Sequence, residues 1–205
     1  MPLNEDKYKH FKPFNPLDKK NLGDSVAEFM LSSRPESLPP EPFTGAGIYA
    51  LYYVGPFELY SQVAARNRAG KFRCPIYVGK AVPLGARKGG TELDADPGPV
   101  LYRRLVEHAD SIKQTVTLDI ADFSCRYLVV DDIWIPLAES LLIQMFSPLW
   151  NKVIDGFGNH DPGSGRYNQQ RSPWDILHPG RSWAEKCQNS RIDIEQLKKR
   201  IMAHK

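Results

Sequence analysis

Cysteine is scarce and scattered. The three present, Cys74, Cys125 and Cys187, lie far apart with no C-x-x-C pair, which argues against both a disulfide framework and a thiolate zinc site. No apolar run approaches the roughly 20 residues of a spanning helix. The stretch MPLNEDKYKHFKPF lacks the apolar centre of a secretory leader. An intracellular, cytoplasmic protein without a membrane partner is therefore expected. There is no strong excess of either charge: the net +3 is compatible with a polyanionic partner without requiring one. Internal repeats are also lacking. At 205 residues, the chain is long enough for one filled core with additions and short for two independent domains.

What is present reads as alternating short strands and helices. An irregular arm rich in Lys and Pro leads to a short helix at about Asp24–Leu31, with Val26, Phe29 and Met30 on one face. Pro39-Pro40-Glu41-Pro42 cannot be helical. Ala46–Val54 is a buried strand by its Ile, Tyr and Val content. A helix follows over Phe57–Arg68 and is stopped by Gly70. Pro75–Gly79 is a second strand, opened by the proline and closed by the glycine. A polar loop then runs to about Pro99. Val100–Ile112 is a helix with Leu101, Leu105, Ala109 and Ile112 on one side. Phe123–Val130 is a third strand, and an apolar helix covers about Pro136–Phe146 until Pro148 ends it. Residues 155–173 are too polar and Gly-rich to pack as a core element and form a long loop of the kind that usually carries function. A last helix fits Ile192–Met202.

Several polar residues stand where chemistry is plausible. Tyr49 and Tyr77 lie on neighbouring strands and each adjoins a glycine, Gly47 or Gly79, a residue that in a strand often marks close approach by another group. Arg104 and His108 are one helical turn apart, at the edge of a buried stripe. There an arginine can clamp a phosphate and a histidine can exchange a proton near neutral pH. Glu139 aligns with Leu142, Ile143 and Phe146 rather than with the polar Ser140 and Gln144. A carboxylate so placed needs an ion-pair partner or a cation, so it is either half of an internal salt bridge or a metal ligand. A hard cation that keeps its waters and bridges to phosphate needs only one or two carboxylates. Asn151, just after Pro148-Leu149-Trp150, suits either a turn or the orientation of a phosphate or bound water.

The ordered set Gly47-Ile48-Tyr49, Tyr77-Val78-Gly79-Lys80, Arg104, His108, Glu139 and Asn151 resembles the GIY-YIG nuclease superfamily over about residues 45–152. The resemblance implies an α+β fold, a small three-stranded mixed or antiparallel sheet flanked by helices, from whose compact pattern this chain departs by an inserted helix and loop, with an N-terminal arm and a C-terminal extension added. The corresponding organisation is an arm and short helix at 1–44, a catalytic core at 45–152 with insertions at 56–73 and 81–98, and a loop and helical extension at 153–205. It further implies one Mg²⁺ on Glu139, with Mn²⁺ able to substitute. Tyr49 would be the general base or its relay, and His108 its hydrogen-bond partner or proton acceptor. Tyr77 would position water or phosphate, Arg104 would neutralise developing charge, and Asn151 would hold the phosphate side. Lys80 matches a lysine that follows the second motif in some members.

The insertions, and the lack of length or cysteines for a separate DNA-binding domain, favour the type II restriction endonucleases of the superfamily. Gly156-Phe157-Gly158-Asn159-His160-Asp161-Pro162-Gly163-Ser164-Gly165-Arg166, with His178-Pro179-Gly180-Arg181, looks closest to the branch that cuts CCGCGG. The resemblance thus implies double-stranded DNA as substrate, a homodimer on a palindrome, and a cognate methyltransferase in the same genome that is not a bound partner. Base-reading candidates, from residue chemistry, are Arg87, Lys88, Arg166 and Arg171 with Asn168, Gln169 and Gln170, since arginine reads guanine in bidentate fashion. Two other readings stand beside this one: a structure-specific repair or recombination nuclease, and a catalytically silent DNA-binding module.

Overall fold

The computed structural model describes residue 15, residues 17–83 and residues 96–204, with Ser164 described in its backbone only. Arg87 and Lys88 lie outside the described residues. The architecture is α+β: helices cover both faces of an antiparallel sheet of four strands rather than three. Its order is β1 (Glu36–Ser37), β4 (Phe123–Val129), β2 (Gly47–Tyr53), β3 (Tyr77–Ala81). The added strand is the two-residue β1, which pairs with Cys125 and Ser124 at the edge of β4. It lies just before the prolines, in a stretch with no alternation long enough to reveal a strand.

β2 is the central strand, and all seven of its residues are buried. That burial is why it reads as a continuous apolar run rather than an alternating one. Successive side chains point to opposite faces. Tyr49, Leu51 and Tyr53 join a core with Leu101, Leu105, Ala109 and Ile112 of α3 (Val100–Lys113) and with Trp150, Phe157, Trp174, Leu197 and Ile201. Ile48, Ala50 and Tyr52 face α1 (Lys19–Ser32) and α4 (Ile135–Phe146) through Ala27, Met30, Ile135, Ala138 and Leu142.

Several expectations are corrected. β3 begins at Tyr77, two residues after Pro75, which has no N–H to give to a ladder. It runs through Gly79 to Ala81, and Gly79 sits within it opposite Tyr49. The buried positions of α1 are Gly23, Ala27 and Met30, while Phe29 is exposed. Small residues there let α1 lie close on Leu141 and Met145 of α4. The inserted helix is a 3₁₀ turn at Glu58–Tyr60 followed by α2 (Ser61–Asn67).

The helix α4 ends on Ser147 in the left-handed conformation, and α5 (Leu149–Lys152) follows Pro148. The stretch read as a loop over 155–173 does contribute to the core: Phe157 is 1% exposed. Beyond it come α6 (Pro173–Leu177), α7 (Ser182–Glu185) and α8 (Ile194–Ala203). Among the described residues no helix is long and apolar enough to cross a membrane, and Cys74, Cys125 and Cys187 are free thiols.

Candidate active site

A cleft of about 630 Å³ opens beside β3 and is lined by Tyr49, Tyr77, Lys80, Arg104, Glu107, Glu139, Gly158 and His160 among others. Its construction follows from the strand register. Tyr49 pairs with Gly79, and a Cβ on residue 79 would meet the Tyr49 phenol oxygen at 2.3 Å. Only glycine lets the ring cross the strand. Gly47 serves the sheet instead, since a Cβ there would meet the Leu128 carbonyl oxygen at 1.9 Å and its small size admits β4. Tyr77, diagonal to Tyr49 on the same face, brings its ring centroid to 6.2 Å from that of Tyr49.

The Tyr49 hydroxyl lies 2.5 Å from Nε2 of His108, which projects from α3. His108 is buried rather than at the core boundary, 1% exposed. It stacks on Phe157 at 4.5 Å between centroids and 18° between planes, with Tyr77 edge-on at 5.4 Å. Burial first, then the charges of Arg104, His160 and Arg181, hold its imidazole well below the usual 6.5. It is therefore neutral, and in the tautomer protonated at Nδ1 its Nε2 accepts the Tyr49 hydrogen bond. Burial first, with Tyr77 adding to it, pushes the Tyr49 phenol well above 10; Arg104 opposes the shift. Tyr77 is raised in the same direction, again chiefly by burial.

Arg104, one turn before His108, donates from Nη1 to Glu107 at 3.0 Å and from Nη2 to the Gly158 carbonyl at 2.9 Å, and it also touches the His160 ring. Lys80 and Glu139 reach the cleft from the other face of the sheet. Lys80 Nζ lies 2.6 Å from Glu139 Oε2, and the carboxylate is 18% exposed. The internal salt bridge anticipated for Glu139 is therefore present, and it faces the open cleft.

Asn151 is not brought to the cleft. Its Oδ1 accepts from Val78 N–H and its Nδ2 donates to Val78 C=O, both at 2.8 Å. Both ends of the amide are spent on the free edge of β3, where Asn151 takes the place of a neighbouring strand. The phosphate contact expected of it is thus replaced by a positioning contact on the strand that carries Tyr77, Gly79 and Lys80.

The base-reading candidates divide in the same way. Arg166 and Asn168 are exposed. Gln169 and Gln170 are exposed too, their backbone joined to Gln188. The guanidinium of Arg171 instead donates to the Ala184 and Glu185 carbonyls at 3.1 and 3.3 Å, which fastens α7.

The site is closed from behind by residues of the 156–166 and 178–181 segments. Arg181, 1% exposed, is paired with Asp175 at 2.7 Å. It donates to the carbonyls of Gly156, Phe157 and Asn159 at 2.9, 3.1 and 3.2 Å, between the rings of Trp174 and Trp183. This fixes the loop that presents Phe157 to His108 and Gly158 and His160 to Arg104. An arginine in a His-Pro-Gly-Arg turn carries no local signal of such burial. A histidine in a Gly/Asn/Asp loop, as at His160, was a visible sign.

The donor set constrains what metal the cleft can hold. Among the described residues no group of three or more His, Cys, Asp or Glu side chains could form a cage. Glu139, with Glu107 the next carboxylate lining the cleft, offers hard oxygen donors. These fit a magnesium-like ion that keeps waters and shares a phosphate, and they do not fit zinc.

No curated protein matches the chain. Residues 41–205 match the family model described as the Eco29kI GIY-YIG domain, which takes in the C-terminal segment as well as the motif-bearing core. The chain therefore belongs to the Eco29kI GIY-YIG family of restriction endonucleases, a family of DNA-cutting nucleases.

Proposed function

We propose that the protein is a type II site-specific restriction endonuclease that hydrolyses both strands of duplex DNA at a G·C-rich palindrome, CCGCGG, as a homodimer with one divalent metal at each Glu139. The observation that carries this reading is the buried Tyr49–His108 hydrogen bond opening onto a cleft shared with Tyr77, Arg104, Lys80 and Glu139.

The electrostatics favour a relay over a standing tyrosinate. Tyr49 holds its proton, and His108 is a neutral acceptor already in contact. As water attacks phosphorus, its proton passes to the Tyr49 oxygen while the phenolic proton passes to Nε2 of His108. The new P–O bond forms as the bond to the leaving oxygen breaks, and that oxygen departs with the bonding pair and takes its proton from solvent. Burial, the larger cause of the depressed His108, stays in place when substrate binds, but an incoming phosphodiester offsets the charge of Arg104 that adds to it, which raises the basicity of the acceptor. Arg104, released from His160 and Gly158, supplies donors to the developing charge. Tyr77 positions the phosphate or the water. Glu139 would hold Mg²⁺, or Mn²⁺ in its place, and the ion when bound supplies Lewis-acid polarisation of the phosphate. Base reading falls to Arg166, Asn168, Gln169 and Gln170, which are exposed.

Incubating plasmid DNA with MgCl₂ and with EDTA is the test. Discrete fragments, appearing only with metal and only from plasmids that contain CCGCGG, are expected. Intact DNA with every divalent metal would overturn the reading, and fragments at another fixed site would overturn only the assigned sequence.

A further inference from the structure

A second cavity, of about 670 Å³, lies between the segment after α2 and the end of α4, and Arg66, Lys71, Arg73, Met145 and Phe146 line it. Its three cations are exposed. No carboxylate lines it, and none of the three has an ion-pair partner among the described residues. Solvated surface cations are common, but these are displayed on a frame built for rigidity. Asn67, fully buried, donates to the Tyr53 and Cys74 carbonyls at 3.1 and 2.7 Å and accepts from Cys74 N–H at 2.9 Å, which ties the base of the turn.

Between the cations, Phe72 sits at φ 36° and Ala69 at φ 60°. Such left-handed backbone persists only where its surroundings hold it. Arg126, 6% exposed, supplies that hold by donating to the Phe72 carbonyl at 2.5 Å and to the Ser33 carbonyl at 2.8 Å, while the Phe72 ring packs edge-on to Tyr52. Two buried polar side chains and a strained turn thus fix the backbone from which the exposed cations project, so no loop ordering is left to be lost on binding a polyanion.

The position of the cavity relative to the candidate active site gives it a ligand. Phe146 lines this cavity and Glu139 lines the catalytic cleft. The two are seven residues apart and so share one stripe of α4, separated by about 10 Å along its axis. That spacing is roughly three base-pair rises of DNA. We infer that Arg66, Lys71 and Arg73 form a phosphate-binding station for the duplex flanking the cut, which holds the DNA backbone along α4 while the cleft holds the scissile phosphate. The inference rests on the nuclease reading and adds to it a site of backbone contact independent of base sequence.

The test compares the parent with the triple variant Arg66→Gln, Lys71→Gln, Arg73→Gln. Binding to a long duplex of arbitrary sequence is followed by fluorescence anisotropy over a range of salt concentrations, without divalent metal, alongside cleavage at saturating DNA. Each lost phosphate contact lowers the slope of log K against log salt by about 0.9. The triple variant should therefore lose about 2 to 3 in slope and Lys71→Gln alone about 0.9, with kcat at saturating DNA retained and the thermal melt unchanged. Equal slopes for parent and triple variant overturn the station, whatever the cleavage result. A parent that binds with the expected slope difference yet never cuts overturns the nuclease reading and leaves the station standing.

Discussion

The phenol oxygen of Tyr49, on the central strand, and Nε2 of His108, on α3, are 2.5 Å apart in a pocket from which water is largely excluded. A second tyrosine–histidine pair, Tyr60 with His178, has the same 2.5 Å separation, but there Thr117 holds the other ring nitrogen at 2.7 Å and aromatic rings close the surroundings. Of the two pairs, the first has its tyrosine on the wall of the cleft, and that placement separates a group able to exchange a proton with substrate from a structural one.

If that pair acts as one relay, its members fail together. Tyr49→Phe and His108→Ala should each lower single-turnover cleavage by about 10² to 10⁴, and the double variant should be little worse than either alone. Multiplicative losses in the double variant would show that the two act separately.

Glu139→Gln should abolish cleavage and leave DNA affinity measured without metal within about threefold of the parent, since it removes the proposed metal ligand while keeping the side chain's size. Near-parental cutting by Glu139→Gln, measured across a magnesium titration, would remove Glu139 from the metal site.

Gly79→Ala adds a carbon that would sit 2.3 Å from the Tyr49 oxygen. The ring must swing off His108, and the expected outcome is a folded protein with at least tenfold lower cleavage, in line with the cost of misplacing a reacting group by about 1 Å. Circular dichroism and cleavage rate together check this, and an active Gly79→Ala protein would contradict the register-based placement of Tyr49.

Stability should fall with acid in a defined direction. His108 and His178 are both depressed when folded, chiefly by burial, His178 to about 3, whereas both titrate near 6.5 when unfolded. The unfolded chain therefore binds more protons as pH falls below 6.5. The stability these groups confer is complete above that pH and is lost on the way down to about 3, at up to about 1.4 kcal/mol per pH unit for each histidine. Urea melts between about pH 7 and pH 4 measure the slope. His178→Gln should flatten it, and a parent with pH-independent stability over this range would contradict the burial of both rings.

Arg181→Ala leaves the Asp175 carboxylate buried without its partner and frees three carbonyls of the Gly156–Asn159 loop. Loss of a buried pair in this way costs about 3 to 5 kcal/mol. Because the loop carries Phe157 and Gly158, cleavage should also fall at temperatures where the variant is still folded. Chemical denaturation and a cleavage assay read the two effects, and an unchanged melt would mean that Arg181 is not the organiser of this loop.

Much of the fold was legible along the chain because the signals are local. The apolar run of β2, the 3.6-residue stripe of α3 and the length of α4 each follow from side chains within a few positions of one another. The site was legible wherever a polar residue broke such a stripe: Glu139 among Leu142, Ile143 and Phe146, and Arg104 and His108 beside Leu105. The edge strand β1 escaped because two residues carry no periodicity. The shift of β3 past Pro75 escaped because Gly79 reads as a terminator until its cross-strand neighbour is known to be Tyr49.

The amino-acid sequence by itself determined which residue types stand on which element, and hence that two tyrosines, a histidine, an arginine, a lysine and a glutamate lie on strands and helices of one small domain. Tertiary structure alone decided how they are used. It turned the Asn151 amide onto the Val78 backbone, tied Arg171 to α7, buried Arg181 beneath the Gly156–Asn159 loop and laid Phe157 over His108. Those outcomes depend on partners between 13 and 73 residues away. A polar side chain is spent or free according to which distant donor, acceptor or ring arrives beside it, and no local pattern records that arrival.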